Sequence, residues 1–496
     1  MHVGLSLMSK GKANRRIGQE NLKTTNVDTI LILGFGREGK AALAAILDAT
    51  FAKYTFLEIN THTSISVADY GISLESLDAL QSEFPQVKHW YLGETWLSHL
   101  SQYDLIIRSP GVPLRILKEH LSSLDHVYSG SELFLSTNRD KTWVITGTKG
   151  KSTSASILCH ILKELGAAVS LGGNIGIPPV SMFGLDSELF ILELSSYQLE
   201  GLKVSPKLGI FLNLYEEHLD YHGDFPAYGE AKANIAKHQS DNDICIYPKF
   251  SEIIANLLSN TKGNKVAYDT TGDNAWFSDG KFWIKDNEGI DKPLVDLSSC
   301  HIKGQGNIRN ICAVLTALIV ARDFNALPES LGGVIDWEKV GHSIASYKPL
   351  PHRLQEVVSQ GRIFINDSIS TVAESTINAI DAYNDILDTL ILGGFDRGIS
   401  YTAMYKRIVN SNIKTILFFP PSGARMMKDL AQNETLRSKN ISLYEVSTMK
   451  EAVHLAKKHT NEGRACLLSP GAPSFPIFKN FEERGNLFIN EVLQRF

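Results

Sequence analysis

Thr142-Trp-Val-Ile-Thr-Gly-Thr-Lys-Gly-Lys-Ser-Thr153 is the stretch that decides the fold. Residues 142–146 are a short, mostly apolar run, the next four are rich in glycine, and 152–165 repeat apolar side chains at helical spacing. The segment therefore reads as strand, loop and helix. In that setting the backbone N–H groups of Gly147, Thr148, Lys149, Gly150 and Thr153 can cradle phosphate oxygens at a helix N-terminus. Lys151 can neutralise the β/γ charge, and the Ser152 hydroxyl can ligate magnesium. The loop departs from the full Walker pattern, since Ile145 stands five before Gly150 where that pattern has glycine. A chance glycine–lysine turn is the bland alternative, and the strand–loop–helix context argues against it.

Toward the N-terminus, residues 28–33 are a second apolar run ending in Gly34-Phe-Gly36-Arg-Glu-Gly39, with helical spacing over 38–47. Further strands are expected at 54–59 and 104–107, the latter ending at Ser109-Pro-Gly111, so residues 27–139 read as one α/β domain. The loop opens a second domain, 140–347, whose apolar runs at 189–194 and 208–212 suit strands buried on both faces of a mostly parallel sheet. Within it, 264–302 reads as a small antiparallel extension. Strands expected at 362–365, 389–392, 415–419 and 465–468, separated by helical patterns, define a third α/β domain, 348–496. Residues 1–26 lack the ordered regions of a signal peptide and read as a flexible leader.

A chain of 496 residues exceeds one ordinary core, in keeping with three domains. With 43% hydrophobic and 21% charged residues it should fold throughout, and a net charge of -5 gives no basic footprint for nucleic acid or an anionic membrane. No apolar run approaches the roughly 18 to 20 residues of a membrane span. The five cysteines, Cys159, Cys245, Cys300, Cys312 and Cys466, are scattered without a CxxC and read as buried reduced thiols of a cytoplasmic protein. A monomer is expected.

The short loop Gly147-Thr-x-Gly-Lys-Ser-Thr153 is similar to that of the Mur ligases and the folylpolyglutamate synthetases, and further motifs extend the resemblance over roughly residues 28 to 490. Gly172-Gly-Asn-Ile-Gly176, Glu193-Leu-Ser-Ser-Tyr-Gln198, Asn213 through Asp220 and Ala231-Lys232 resemble central-domain motifs of Mur ligases that add glutamate. Gly306-Asn307-Ile-Arg-Asn310, His352-Arg353, Asn366-Asp-Ser368, Gly393 through Asp396 and the stretches 467–470 and 484–485 resemble motifs farther along. The order of the motifs is more specific than any one of them.

The resemblance implies three domains: a Rossmann-like one for a UDP substrate, a P-loop ATPase-like one with a mostly parallel sheet, and a Rossmann-like C-terminal one. It implies ATP and Mg²⁺, with Ser152 and Glu193 holding one ion and His218 helping to hold another. Lys232 matches a family lysine that is carbamylated by CO₂ and can then bridge toward metal; a surface helix lysine is its bland reading. Asn310, Arg353 and Asp367 match positions for adenine, the γ-phosphate and the ribose or hinge. Lys151, His218, Lys232 and Arg353 are thereby the expected catalytic set, while His352 reads as a hinge residue without chemistry. For Glu193 the residues alone give an independent reason, because an unpaired charge at the end of an apolar strand is costly unless it binds something.

Gly34 to Gly39, with Glu58 about 20 residues beyond, also fits a dinucleotide fingerprint. The family instead uses Gly36, Arg37 and Glu38, Ser109, Pro110 and Gly111, with Asn174, for UDP-N-acetylmuramoyl-L-alanine. Arg397, Ser474, Phe475 and Phe481 are expected to bind glutamate. Here the pattern becomes uneven: Ile369 stands where many members have lysine, and Arg397 replaces another lysine. Asn366-Asp-Ser-Ile-Ser-Thr371 and Ser469-Pro-Gly-Ala-Pro-Ser474 resemble the branch that adds L-glutamate, whereas the wider family adds D-glutamate, so the handedness stays open. Two other readings compete. One is a folylpolyglutamate-synthetase-like ligase, against which the N-terminal unit argues; the other is a non-catalytic nucleotide-binding regulator, against which intact Lys151, Ser152, Glu193, His218 and Lys232 argue.

Overall fold

The computed structural model describes residues 25–494 except 49–54, 56, 60, 61, 433–438 and 440. Three α/β sheets follow one another along the chain. The first has five parallel strands in the order Val87–Leu92, Ser64–Asp69, Thr29–Leu33, Leu105–Arg108, Val127–Ser129. The second has six parallel strands in the order Asn264–Tyr268, Ile244–Pro248, Leu208–Phe211, Thr142–Thr146, Leu189–Glu193, Val169–Gly173. The third runs Gln355–Ser359, Arg362–Asn366, Ala465–Leu468, Leu387–Gly393, Thr415–Phe419, Ser442–Glu445, parallel except for its first, antiparallel edge strand.

Each sheet is apolar on both faces because helices cover both, and the alternation of side chains assigns successive residues to opposite cores. Ile30 and Ile32 enter one core and Leu31 and Leu33 the other. Trp143 and Ile145 likewise oppose Val144, and Leu390 and Leu392 oppose Ile391. All five cysteines are buried and unpaired. Among the described residues no helix is long and apolar enough to cross a membrane.

Several expectations need correction. Of the strand expected at 54–59, residues 54 and 56 lie outside the described residues, and Leu57–Glu58 pairs with Thr25–Asn26 outside the five-stranded sheet. The leader expected over 1–26 lies outside the described residues up to 24, and its last two residues are in that pairing. The strand beside Thr29–Leu33 is Ser64–Asp69, so the acid that follows the glycine loop in the sheet is Asp69, and Glu58 is exposed. In the 264–302 stretch, Asn264–Tyr268 is an edge of the large parallel sheet; only Ala275–Ser278, Lys281–Lys285 and Asp291–Asp296 form the small antiparallel one.

Candidate active site

Thr142–Thr146 is wholly buried and lies between Leu208–Phe211 and Leu189–Glu193, which leave the sheet on opposite sides of it. The crevice at the carboxyl end of such a strand is where open α/β sheets bind ligands. Gly150, at φ 83°, is the N-cap of helix Lys151–Glu164, and a Cβ there would meet Asn310 Oδ1 at 2.3 Å. The first amides of this helix have no partner within it and present a positive end to the cleft. Asn213 clamps the loop from below: its Oδ1 accepts from Lys149 N (2.8 Å) and its Nδ2 donates to Lys149 O (2.9 Å). Thr148 is fixed by Tyr228 and by the Tyr215 amide.

The cleft above the loop has a volume of about 830 Å³. Lys151 Nζ donates to the carbonyls of Gly147 and Thr148, both at 2.9 Å, and burial pushes its pKa down to about 8. Arg353, from the segment that joins the second sheet to the third, donates from Nη2 to Ser152 Oγ at 2.8 Å. It is flanked by His352 and Leu354, both at positive φ. His352 is itself buried and accepts from Asn366 Nδ2. Asn310 also lines the cleft.

Glu193 is 1% exposed. Its Oε1 accepts from Asn174 Nδ2 at 2.9 Å, and its Oε2 is buried without any hydrogen-bond partner. A buried carboxylate oxygen with nothing to bind is costly, and Glu193 lines the cleft, which makes it a candidate to meet a ligand there. The Ser152 hydroxyl and the His218 ring line the same cleft, and burial pushes the His218 pKa down. Among the described residues no three His, Cys, Asp or Glu side chains converge. A carboxylate and a hydroxyl for one ion and an imidazole for another, with phosphate and water as further ligands, fit Mg²⁺, which seldom takes an all-protein cage.

Lys232 is 1% exposed. Its Nζ donates to Gly147 O at 2.9 Å and lies 4.9 Å from the Tyr228 ring centroid. Burial first, and then the neighbouring Lys151, drives its pKa well below the usual lysine value. Its bland reading as a surface lysine is therefore wrong: the amine is enclosed behind the phosphate loop.

Asp367, also in this cleft, accepts at Oδ2 from Ser370 Oγ (2.5 Å) and Ser469 Oγ (2.8 Å). Burial pushes its pKa from 3.8 up to about 6. The folded state thus binds more protons than the unfolded chain between those values, so this group's contribution to stability is present below 3.8 and is lost as pH rises through about 6. Chemical denaturation of wild type and Asp367→Asn between pH 4 and 7 checks this: wild type should lose stability relative to the variant as pH rises, with the difference flat above the window.

A second cavity, of about 560 Å³, is lined by Gly36, Arg37, Glu38, Ser109, Pro110, Gly111 and Asn174, together with Tyr70, Trp96 and Tyr197. The glycine loop is fixed by Asp69, whose Oδ2 accepts from Phe35 N at 2.6 Å, and by Ser109 Oγ, which donates to Gly34 O at 2.6 Å. A Cβ on Gly39 would lie 2.0 Å from Gly34 O. Gly39→Ala should therefore destabilise the protein by about 3 kcal/mol, read as a shift of the urea unfolding midpoint. Glu38 lines this cavity beside Gln198, whose Nε2 donates to its Oε1 at 2.7 Å, and burial raises its pKa. Arg37 donates to Gly173 O and Asn174 O, and Arg37 and Asn174 line both cavities.

The four candidate glutamate residues are not gathered in one cavity. Phe481 lines the large cleft, 6.0 Å from the His352 ring. Ser474 is buried, and half-exposed Phe475 packs 4.8 Å from Phe395; neither lines the two cavities. Arg397 donates to Thr371 O at 3.0 Å, on the loop whose Ile369, Ser370 and Thr371 line the large cleft. Sequence reasoning passed over Asp69, Arg425 and Arg484. Arg425 grips Asp396 through two bonds of 2.7 Å. Arg484, fully buried, donates to Ser368 Oγ, Ser368 O and Ala472 O, tying two loops together.

Comparison with known proteins agrees with this geometry. The Mur ligase middle-domain family model matches residues 145–318. A UDP-N-acetylmuramoyl-L-alanine--L-glutamate ligase of Salinispora tropica is 31% identical, covering 93% of this chain and 97% of its own length. A UDP-N-acetylmuramoylalanine--D-glutamate ligase of Geobacillus kaustophilus is 30% identical over 93% and 97%. A solved MurF of Acinetobacter baumannii shares the fold with a TM-score of 0.55 at 16% identity, covering 73% of this chain and 79% of that one. Phosphate loop, orphaned carboxylate and full-length relatives together define an ATP-dependent ligase that joins a carboxylate to an amine. More narrowly, the chain belongs to the Mur ligase family and forms an amide bond in the synthesis of peptidoglycan precursors.

Proposed function

We propose that the chain joins glutamate to the alanyl carboxylate of UDP-N-acetylmuramoyl-L-alanine through an acyl phosphate. The observation that carries this is the meeting of the two cavities at Arg37 and Asn174, with Asn174 holding Glu193 beside the phosphate loop. A substrate lying along the glycine loop and the Ser109–Gly111 turn can extend its carboxylate from the smaller cavity toward a γ-phosphate in the larger one. The carboxylate oxygen attacks phosphorus, and the bond to the β-phosphate oxygen breaks, releasing ADP. The glutamate amine then attacks the acyl carbon, the carbon–oxygen bond to phosphate breaks, and the amine proton passes to solvent.

Lys151 and the helix amides hold the phosphates, and the Arg353 fork follows the transferring charge. Ser152 and Glu193 would hold one Mg²⁺ and His218 would help to hold another, and such ions would supply charge neutralisation between the phosphates and the carboxylate. Asn310 faces the nucleotide beside Gly150, and Asp367 anchors the wall of its cleft. Lys232 carries a carbamate: its neutral amine bonds to CO₂ carbon with loss of a proton, giving an anion behind the loop. A ¹³C carbonyl resonance from labelled bicarbonate, absent in Lys232→Ala, tests that step.

For glutamate we read the L enantiomer. The missing cation at Ile369 and the planar fork of Arg397 support a pocket different from the usual D-glutamate one, and the Salinispora relative bears that name. Arg397→Ala should raise the KM for glutamate by about 10- to 100-fold, the worth of one charge-assisted contact, with the KM for ATP unchanged. Phosphate release from ATP with UDP-N-acetylmuramoyl-L-alanine and either L-glutamate, D-glutamate or no amino acid tests the whole reading. Release should require the UDP substrate and L-glutamate; dependence on D-glutamate would reverse the handedness, and indifference to the UDP substrate would overturn the assignment.

A further inference from the structure

The helix Leu219–His222 is one turn long and stands between the two cavities. Its N-cap, His218, lines the ATP cleft and is held at φ 59°, a left-handed conformation uncommon outside glycine. The amides of Tyr221 and His222 donate to His218 O at 3.2 and 3.1 Å, so the two ends of the turn move together.

The other end of the turn is tied to the N-terminal unit. Tyr221 Oη accepts from Arg108 Nη1 at 3.2 Å. It has a single proton to donate and two acceptors in reach, Pro110 O at 2.8 Å and Glu200 Oε2 at 2.9 Å. Arg108 is 2% exposed and also donates to Val112 O and to Glu200 O. A second tie runs from Arg115 Nη2 to Asp220 O at 3.1 Å. Between the cavities, the Tyr197 ring packs against both Tyr221 (4.2 Å) and His218 (4.9 Å) while lining the smaller cavity. The Ser109–Gly111 turn is thus linked to the edge of the ATP cleft by one hydroxyl and one helical turn, with a buried arginine fixing the geometry.

We infer that Tyr221 is a positioning residue that couples the substrate turn at Pro110 to His218, so that occupancy of one cavity changes the affinity of the other. The coupling rests on the reading of the cavities as UDP-substrate and nucleotide sites. A ligand that shifts the Pro110 carbonyl changes which acceptor receives the Tyr221 proton, and the displacement passes through a turn too short to absorb it. The ring of Tyr221 packs without its hydroxyl, so Tyr221→Phe removes the tie and keeps the packing.

The test is calorimetric titration of the full chain with Mg²⁺ and a non-hydrolysable ATP analogue, with and without saturating UDP-N-acetylmuramoyl-L-alanine. In wild type the two Kd values should differ by about fivefold or more, and in Tyr221→Phe the ratio should return to about 1, while each ligand alone binds as in wild type. Should that variant not fold, Arg115→Ala, which cuts only the exposed second tie, should lower the same ratio. A ratio of 1 in wild type, or an unaltered ratio in the variants, overturns the inference. Failure of wild type to bind the UDP substrate at all overturns the functional reading, and the coupling with it.

Discussion

Lys151→Ala should lower kcat/KM for ATP-dependent ligation by on the order of 10³-fold, the cost of removing a preorganised charge from a developing phosphoryl transition state. Lys151 begins the helix behind the loop, and in the ligand-free protein its ammonium is parked on the carbonyls of Gly147 and Thr148. Burial there desolvates the cation and pushes its pKa down to about 8, and desolvated charge interacts more strongly with phosphate than charge in water does. Removing the side chain leaves two carbonyls facing the cleft, where water can reach them, so the fold should survive. Steady-state assays together with a thermal melt separate the two effects: the rate falls while Tm changes little.

Glu193→Gln is the second large effect, and activity should fall while stability changes little. The substitution keeps the shape and the acceptor that serves Asn174, and it removes the charge that Oε2 leaves unpartnered. Ligation should fall by about 10²- to 10³-fold, with a higher Mg²⁺ requirement, because one charged metal ligand is lost. Stability should change by about 1 kcal/mol or less, since relief of the carboxylate's desolvation is offset by loss of the attraction it gives to Lys151, Lys232 and Arg353. A loss of both activity and stability would instead mark Glu193 as an acid that serves the core. Urea unfolding of the ligand-free variant beside its Mg²⁺ titration decides between the two.

The phosphate loop could be read from sequence because its strand, glycines and helix are contiguous, and local patterning is what one chain in isolation displays. Ser64–Asp69 was hidden because Ser64 and Ser66 interrupt its apolar run, yet Ser66 is fully buried: a small hydroxyl side chain tolerates an interior sheet position that its polarity conceals. The apolar stretch at 54–59 looked like the better strand, and the acid was accordingly sought at Glu58 in place of Asp69. Lys232 was singled out by the motif around it, but its own spacing on a helix also suits a surface lysine, and only the fold encloses it behind Gly147. Arg108, Glu200 and Tyr221 are separated by 92 and 113 positions from the arginine, so no spacing rule brings them together. Arg425 and Arg484 were missed for the same reason, as each acts on loops that other strands deliver.

The most direct test of the account is the fate of oxygen. UDP-N-acetylmuramoyl-L-alanine labelled with ¹⁸O in its alanyl carboxylate would be turned over with ATP, Mg²⁺ and glutamate, and the released phosphate examined by ³¹P NMR. An acyl phosphate formed in the cleft beside Glu193 should deliver one ¹⁸O into each phosphate; phosphate that carries none would contradict the account.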